Sequence, residues 1–377
     1  MDPSRRPEQV DLIILGAGIV GASVAWHAAP HARVVVLERE PQPGMHSTGR
    51  SAALFLEGYG PQQVRALTRA SRAFLQHPPT GFTPVPLISP RGALTVAANG
   101  QQDTLAAKFD TLRAEIPALK WLDRDAVLVQ VPAFRQEAAA AGFHDPDAAD
   151  LDVDALLQGF LRGARVRGAQ VVCGLGEVAL SRSGAGWQAE AGGRRWQAAA
   201  VVNASGAWAD VVAAQAGVAP IGIEPRRRSA FTFEPPAWMT VGTWPAVTAV
   251  DESYYFKPDA GLLLGSPANA DPVPPHDVMP EEMDIALGIE RIERATTLQI
   301  ARPRSTWAGL RCFSPDGEPV IGTDRVATGF HWAAALGGYG IQASPAVGAL
   351  CAAEALGLPV PDWLATRGVD PERLRPR

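Results

Sequence analysis

The chain has 377 residues but only three cysteines, Cys173, Cys312 and Cys351, far apart and with no CxxC pair among them. That excludes a disulfide framework and gives no support to a structural zinc site, and it fits a reducing compartment. Positive charge is also in short supply. The net charge is -5 and the pI about 5.8, which argues against a dedicated nucleic-acid binder. Lysine is nearly missing: Lys108, Lys120 and Lys257 stand against arginine for the rest of the 34 basic residues, a skew of composition rather than of function. No apolar run is long and clean enough to span a bilayer. The most membrane-like stretch, residues 10–30, contains Asp11, His27 and spaced glycines, and the Arg5-Arg6 pair is followed by Pro7-Glu8-Gln9 instead of an apolar segment. The seven histidines include no pair at metal-ligand spacing, so no metal site is expected. These absences together predict a soluble, cytoplasmic chain, at most peripheral to the inner membrane, with no nucleic-acid partner and no integral membrane segment.

What the sequence does contain is core material. Apolar residues make up 47% and charged residues 19%, enough to exclude a broadly disordered chain. At roughly 150 residues per domain the length points to more than one domain. Residues 10–15 form an apolar run, Gly16 to Gly21 a glycine turn, 22–29 a helix and 33–37 a second apolar strand. A strand-helix-strand unit of this kind implies a parallel sheet. A helix over 61–75 precedes a Pro-rich break at 77–86, and the segments 92–97, 101–115 and 123–130 alternate strand and helix character. An amphipathic helix over 152–167 leads to strands at 169–173, 177–182, 187–191 and 195–203 and a helix at 207–216. From 224 to 297 the pattern is antiparallel, with one helix near 281–296, and the end returns to strand, glycine turn and a helix from 342 to 356. The expected fold class is α/β (α+β). A Rossmann-like domain is assembled from 1–82, 145–223 and 301–377, and a substrate domain with a mixed, largely antiparallel sheet from 83–144 and 224–300.

The chemistry begins at Gly16-Ala17-Gly18-Ile19-Val20-Gly21, a GxGxxG pattern between strand and helix, with Glu38 closing the second strand. Gly16 makes the tight turn, Gly18 lets backbone approach a pyrophosphate, Gly21 permits close helix-sheet packing, and the helix N-terminus offers free N–H groups to an anion. Glu38 can accept hydrogen bonds from both ribose hydroxyls; Arg39 beside it is the one hint of a 2′-phosphate. His46, Ser47, Thr48, Gly49, Arg50, Ser51 and Ala52 follow at the start of a short helix, where they either hold a pyrophosphate or flavin ring or form an ordinary N-cap cluster. Downstream, Ala204, Gly206 and Trp208 end a strand in a small-residue turn, and Gly337, Gly338, Tyr339, Gly340, Ile341 and Gln342 form a second glycine turn into a helix. Glycine turns from distant parts of one chain point to a long cofactor touched along its length.

Taken together, GAGIVG with VVVLERE, HSTGRSAA, VVNASGAW, TWAGLR and GGYGIQ resemble the FAD-dependent D-amino-acid oxidase superfamily, which also contains glycine and sarcosine oxidases. RALTRASRAFL, LDVDALLQGFLRGA, RRRSAF, DESYYFKPDAG and LLGSPANADPV are similar, within it, to the bacterial D-arginine dehydrogenases, over about residues 10–345. The resemblance implies non-covalently bound FAD, with Val178 among its contacts, and hydride transfer from the substrate α-carbon to the flavin N5. The electron acceptor is then O2 or a quinone-like molecule. It further implies that Arg228 and Arg311 hold the substrate carboxylate, that Tyr59 and Tyr255 donate hydrogen bonds to it, and that the Gly338 carbonyl accepts one from the amine. A bidentate guanidinium suits a planar carboxylate on independent grounds. Strand alternation lets either Arg227 or the pair Arg226 and Arg228 face inward, the alternative being a solvated sheet edge. Cys312 invites the idea of a covalent flavin, but it stands closer to Asp316 than the flavin-bearing cysteine of sarcosine oxidases stands to the corresponding acid.

Where the arginine dehydrogenase pattern has His, Thr and Glu lining the side-chain pocket, this chain has Leu54, Leu56 and Ala93. Neutral, largely apolar D-amino acids are therefore the expected substrates, with Glu57 as the one acid able to restore a preference for cations from a new position. The alternatives are a glycine- or sarcosine-type oxidase, a nicotinamide-dependent Rossmann enzyme and, in another class, a tRNA-modifying or non-catalytic flavoprotein.

Overall fold

The structure, a computed structural model, describes residues 6–377; Arg5, and with it the Arg5-Arg6 pair and the first residues of the expected Rossmann-like domain, lie outside them. The strands Leu12–Leu15 and Val34–Leu37 are apolar at every position because both faces are covered. They lie side by side in a six-stranded sheet whose order across is Gln170–Val172, Val34–Leu37, Leu12–Leu15, Ala200–Asn203, Phe330–Ala334 and Val320–Thr323, parallel except for the last strand. Alternate residues face opposite ways. Leu12, Ile14, Val34 and Val36 pack under helices, whereas Ile13, Leu15, Val35 and Leu37 pack against Trp187, Trp196, Phe330 and Trp332.

Helix Ile19–Ala28 crosses helix Gly340–Leu356 so closely that a Cβ on Gly348 would lie 2.1 Å from the Ser23 Oγ. Ser23 Oγ donates to the Ser344 carbonyl at 2.7 Å, which locks the crossing. The Gly/Ala/Ser content of both helices reflects this approach.

The second sheet has nine strands, antiparallel apart from Ala246–Ala249 beside Ala93–Ala97. Helix Glu282–Ala295 covers one of its faces, setting Ile285 and Ile292 against Phe231, Phe233 and Phe256. The mixed α/β architecture is as expected, with three local differences. The run 195–203, read as one strand, is two: Arg194–Ala198 belongs to a small four-stranded sheet and Ala200–Asn203 to the parallel sheet, and the intervening alanine carries no turn signal. The segment 123–130 is helical from Arg124 to Gln130, capped by the Asp123 carboxylate, which accepts from Ala126 N at 2.9 Å. Strand Ser305–Phe313, placed in sequence with the first domain, pairs along its whole length with Glu224–Phe233 in the nine-stranded sheet. Within that pairing Ala308, Leu310 and Cys312 are buried on one face, which leaves Trp307, Gly309 and Arg311 on the other. Among the described residues no helix is long and apolar enough to cross a membrane.

Candidate active site

At the carboxyl ends of the parallel strands opens a cavity of about 400 Å³. Gly16 and Gly21 are glycines for the protein's own sake: Gly16 has φ +99° and a Cβ there would lie 2.6 Å from the Ala204 carbonyl oxygen, while one on Gly21 would lie 1.9 Å from the Gly16 carbonyl oxygen. Gly18 differs. A Cβ there would meet only Thr48 Oγ1, at 3.4 Å, and Gly206, with φ +57°, would meet nothing. Both line the cavity, so what they leave free is space for an occupant. The first intrahelical bond runs from Ala22 N to Gly18 O, so the amides of Ile19, Val20 and Gly21 lie outside the ladder. Ile19 N donates to Thr48 Oγ1 at 3.0 Å, and the first turn holds no acid, as suits an anion.

Buried Glu38 is held rigidly: Oε2 accepts from Ala17 N at 2.7 Å and Oε1 from Glu40 N at 2.9 Å. Arg39 lines the same cavity, its Nε 3.2 Å from Glu40 Oε1 and its guanidinium over the Trp208 ring. His46 meets the same two residues, its Nε2 3.0 Å from Glu40 Oε1 and its ring 4.7 Å from that of Trp208. The segment from Ser47 to Arg50 is a single helical turn bolted to the second sheet. Ser47 Oγ donates to Leu310 O at 2.7 Å, and Arg50 donates to Val278 O and Ala308 O and pairs with Asp277. Its hydroxyls serve the protein, with Thr48 accepting from Ile19 N and Ser51 from Ala53 N, while Ser47, Thr48, Arg50, Ser51 and Ala52 still line the cavity. Gly49 does not: it turns inward, where a Cβ would lie 2.7 Å from the Gly44 carbonyl oxygen. Val178, Ala204 and Trp208 line the cavity, and Gly176, Glu177 and Gln215, absent from the sequence reading, line it with them.

A second cavity of about 140 Å³ opens from the first, and the two share Ser51, Ala52, Arg228, Tyr255, Arg311, Gly338 and Ile341. Arg228 and Arg311 stand on one face of adjacent strands, in the register Arg226 opposite Arg311 and Arg228 opposite Gly309. Arg228 Nε donates to Asn269 O at 2.5 Å and Arg311 Nη1 to Tyr59 Oη at 3.0 Å. Neither makes an ion pair among the described residues, whereas Arg227 on the opposite face meets Asp284 at 2.9 Å and Glu281, and Arg226 meets Glu224 at 2.6 Å. Burial and then the Arg311 charge pull Arg228 below an ordinary arginine; both nonetheless stay charged at neutral pH. Two guanidiniums without a counter-ion make a site for an anion. Tyr255 lines both cavities while buried Tyr254 stacks on Phe256, as alternation requires. Gly337, at φ +50°, donates through its N to Cys312 O at 2.7 Å, and a Cβ on Gly338 would lie 2.9 Å from Arg311 Cζ. Burial pushes the Cys312 thiol up to about 12, so it stays protonated.

Leu54, Leu56 and Ala93 line the second cavity, with Leu112, Ile116 and Phe143. Glu57 does not line it; its carboxylate is taken by Arg72 Nε at 2.5 Å. The acids that do are Asp145 and Glu252, the latter 3.5 Å from Lys108 Nζ. Tyr339 and Gln342 are not on the large cavity either. Tyr339 packs edge-on to Tyr59 at 4.8 Å, and Gln342 holds the loop beside it, accepting from Leu56 N at 2.9 Å and donating to Thr68 Oγ1 at 3.1 Å.

The family model described as FAD dependent oxidoreductase, DAO, matches residues 11–354. The chain belongs to this FAD-dependent oxidoreductase family. An uncharacterized oxidoreductase of Bacillus subtilis, YurR, is 24% identical over 92% of this chain and 94% of its own. Among solved structures, glycine oxidase from Geobacillus kaustophilus superposes with a TM-score of 0.83 at 21% identity, over 98% of this chain and 99% of that one. L-proline dehydrogenase from P. horikoshii gives 0.82 at 22% identity, over 99% and 100%. The chain is thus an FAD-dependent oxidoreductase.

The residues present fit the cofactor of the family. Glu38, fixed and carboxylate-bearing, suits the adenosine ribose, and the open face of Gly18 with the unladdered amides beside it suits the pyrophosphate. The Gly337–Gly338 turn and the helix after it, which has no acid in its first turn, suit the flavin end, where reduction adds negative charge.

Proposed function

We propose that this FAD-dependent oxidoreductase oxidises the Cα–N bond of D-amino acids with neutral side chains. The carrying observation is the junction of the two cavities, where Arg228 and Arg311 face inward without a carboxylate partner. Bound FAD supplies the two-electron acceptor. Arg228, Arg311, Tyr59 and Tyr255 hold the substrate carboxylate, and the Gly338 carbonyl accepts a hydrogen bond from the neutral amine. Carboxylate, amine and side chain are then fixed at three points, so only one enantiomer aims its α C–H toward the flavin. The Cα–H pair leaves as hydride, the nitrogen lone pair forms the C=N bond, and the imine hydrolyses to a keto acid after release. No side chain needs to accept the α-proton, which agrees with the absence of histidine from the junction. The side cavity favours a substrate with a side chain over glycine or sarcosine, although the structural neighbours include glycine oxidases. Its Leu54, Leu56 and Ala93 walls favour a neutral one.

Anaerobic bleaching of the flavin with D- and L-amino acids, glycine and sarcosine tests the reading, followed by reoxidation with O2 or a soluble quinone. Fast reduction by D-alanine and D-leucine is expected; reduction by the L-enantiomers or by sarcosine in their place refutes it.

A further inference from the structure

Ala93–Ala97 and Ala141–Asp145 pair antiparallel with Ala93 opposite Asp145 and Thr95 opposite Phe143. All four residues line the side cavity, as members of one sheet face must. Leu54, Leu112 and Ile116 give it apolar walls, Thr248 and Gln342 add neutral polar ones, and the Lys108–Glu252 pair sits at a more exposed position where the two charges offset each other. Asp145 is different in kind: 7% exposed, it makes no ion pair among the described residues, and the hydrogen bond its carboxylate accepts comes from Asp147 N to Oδ1, at 3.0 Å. A carboxylate offers about four acceptor positions, so most of its capacity is unused. Burial raises its pKa; the hydrogen bond from Asp147 N opposes the rise, the charges of Asp147 and Glu57 add to it, and the Arg72 charge works against it.

We propose that Asp145 is a specificity-determining residue that recognises an N–H or O–H donor at the end of the substrate side chain, beyond an aliphatic stem held by Leu54, Leu112, Ile116 and Phe143. The inference rests on the amino-acid reading above and adds to it what the far end of the side chain must be. A neutral donor gains a charge-assisted hydrogen bond there without bringing a second charge out of water. A methyl group in the same place leaves the carboxylate unsatisfied.

The test uses the FAD-loaded enzyme and pairs of D-amino acids in which a terminal methyl is replaced by hydroxyl at increasing length: 2-aminobutyrate and serine, norvaline and homoserine, norleucine and 5-hydroxynorvaline. Anaerobic titration followed by flavin absorbance gives Kd, and the subsequent bleaching gives the reduction rate. At the length that reaches Asp145, the hydroxyl member should bind about tenfold more tightly. Asp145→Leu should abolish or invert that preference. Asp145→Asn, which keeps the turn bond from Asp147 N, should reduce it and guards against a folding defect in the leucine variant. If the pairs bind without discrimination at every length, or discriminate equally in both variants, Asp145 does not read the side chain, although D-alanine still bleaches the flavin. If no amino acid binds or bleaches, the amino-acid reading and this one fall together.

Discussion

Replacing Gly338 with alanine probes the substrate clamp without substituting any side chain in it. The backbone there lies outside the left-handed region, so alanine is conformationally acceptable. Its Cβ, however, would lie 2.9 Å from Arg311 Cζ and 3.0 Å from both Nε and Nη1. Carbon contacts settle near 3.5–4.0 Å, so the guanidinium must retreat by roughly 0.5 Å or more. It is the end of a flexible side chain, so the fold survives, but its hydrogen bond to Tyr59 Oη at 3.0 Å and its aim at the carboxylate are lost together. A misplacement of about 1 Å can cost a hundredfold, so Gly338→Ala should lower the reduction rate over Kd for D-alanine by roughly ten- to a hundredfold, about 1.4–2.7 kcal/mol. FAD content and Tm should be near those of the wild type. Gly242→Ala, where a Cβ would meet nothing, is the control. Anaerobic stopped-flow reduction reads the effect, and wild-type kinetics in Gly338→Ala would refute the placement of the clamp beside this turn.

Arg228→Met should retain FAD and lose about 1.5–3 kcal/mol of carboxylate binding, read as a drop in kcat/KM; an unchanged value removes Arg228 from the site. FAD should be released intact by acid precipitation, because Cys312 stays a protonated, buried thiol; yellow colour on the pellet would contradict this. Neutral D-amino acids should exceed D-arginine in kcat/KM, and Glu57→Ala should leave that order unchanged because Arg72 already holds the Glu57 carboxylate; a D-arginine preference that collapses in the variant would show the opposite. Burial holds the imidazoles of His27 and His331 at about 4, against about 6.5 in the unfolded chain, so both groups take up protons on unfolding between these values. Stability from this source is full above pH 6.5 and falls as pH drops toward 4. His27→Leu should reduce the slope of Tm against pH in that window, and an unchanged slope would show that His27 does not titrate as described.

The glycine turn was legible because each of its positions obeys a local spacing rule, and Glu38 followed from the length of one strand-helix-strand unit. Arg228 and Tyr255 were separable from Arg227 and Tyr254 only as far as alternation allows; the resemblance chose the face, and in the structure Arg228 and Arg311 share one face while Tyr254 stacks on Phe256. Glu57 shows where such reasoning stops. It neighbours Leu56 in sequence, but Arg72, on helix Gln62–Gln76 well downstream in sequence, captures its carboxylate. Asp145, Glu252 and Lys108 reach the side cavity through strand pairing, a hairpin and a helix that no local pattern registers. Tyr339 and Gln342 sit in a glycine-rich motif and read as cofactor contacts, yet they support the loop carrying Tyr59. Nothing in the Ser305–Phe313 sequence says which sheet it joins, since that depends on a partner strand made earlier.

The order of strands in the parallel sheet also sets a timetable for synthesis. Leu12–Leu15 and Val34–Leu37 emerge first, but the other edge of Leu12–Leu15 stays open until Ala200–Asn203 arrives, and that strand in turn waits for Phe330–Ala334. At 5–20 residues per second the second wait alone is on the order of ten seconds, with an apolar, unpaired edge exposed throughout. Helix Gly340–Leu356, which covers the same layer against Ile19–Ala28, comes later still. A nascent chain of this protein is therefore a natural client for a holding chaperone, and a ribosome stall before Phe330 leaves an aggregation-prone fragment in place of a smaller working enzyme.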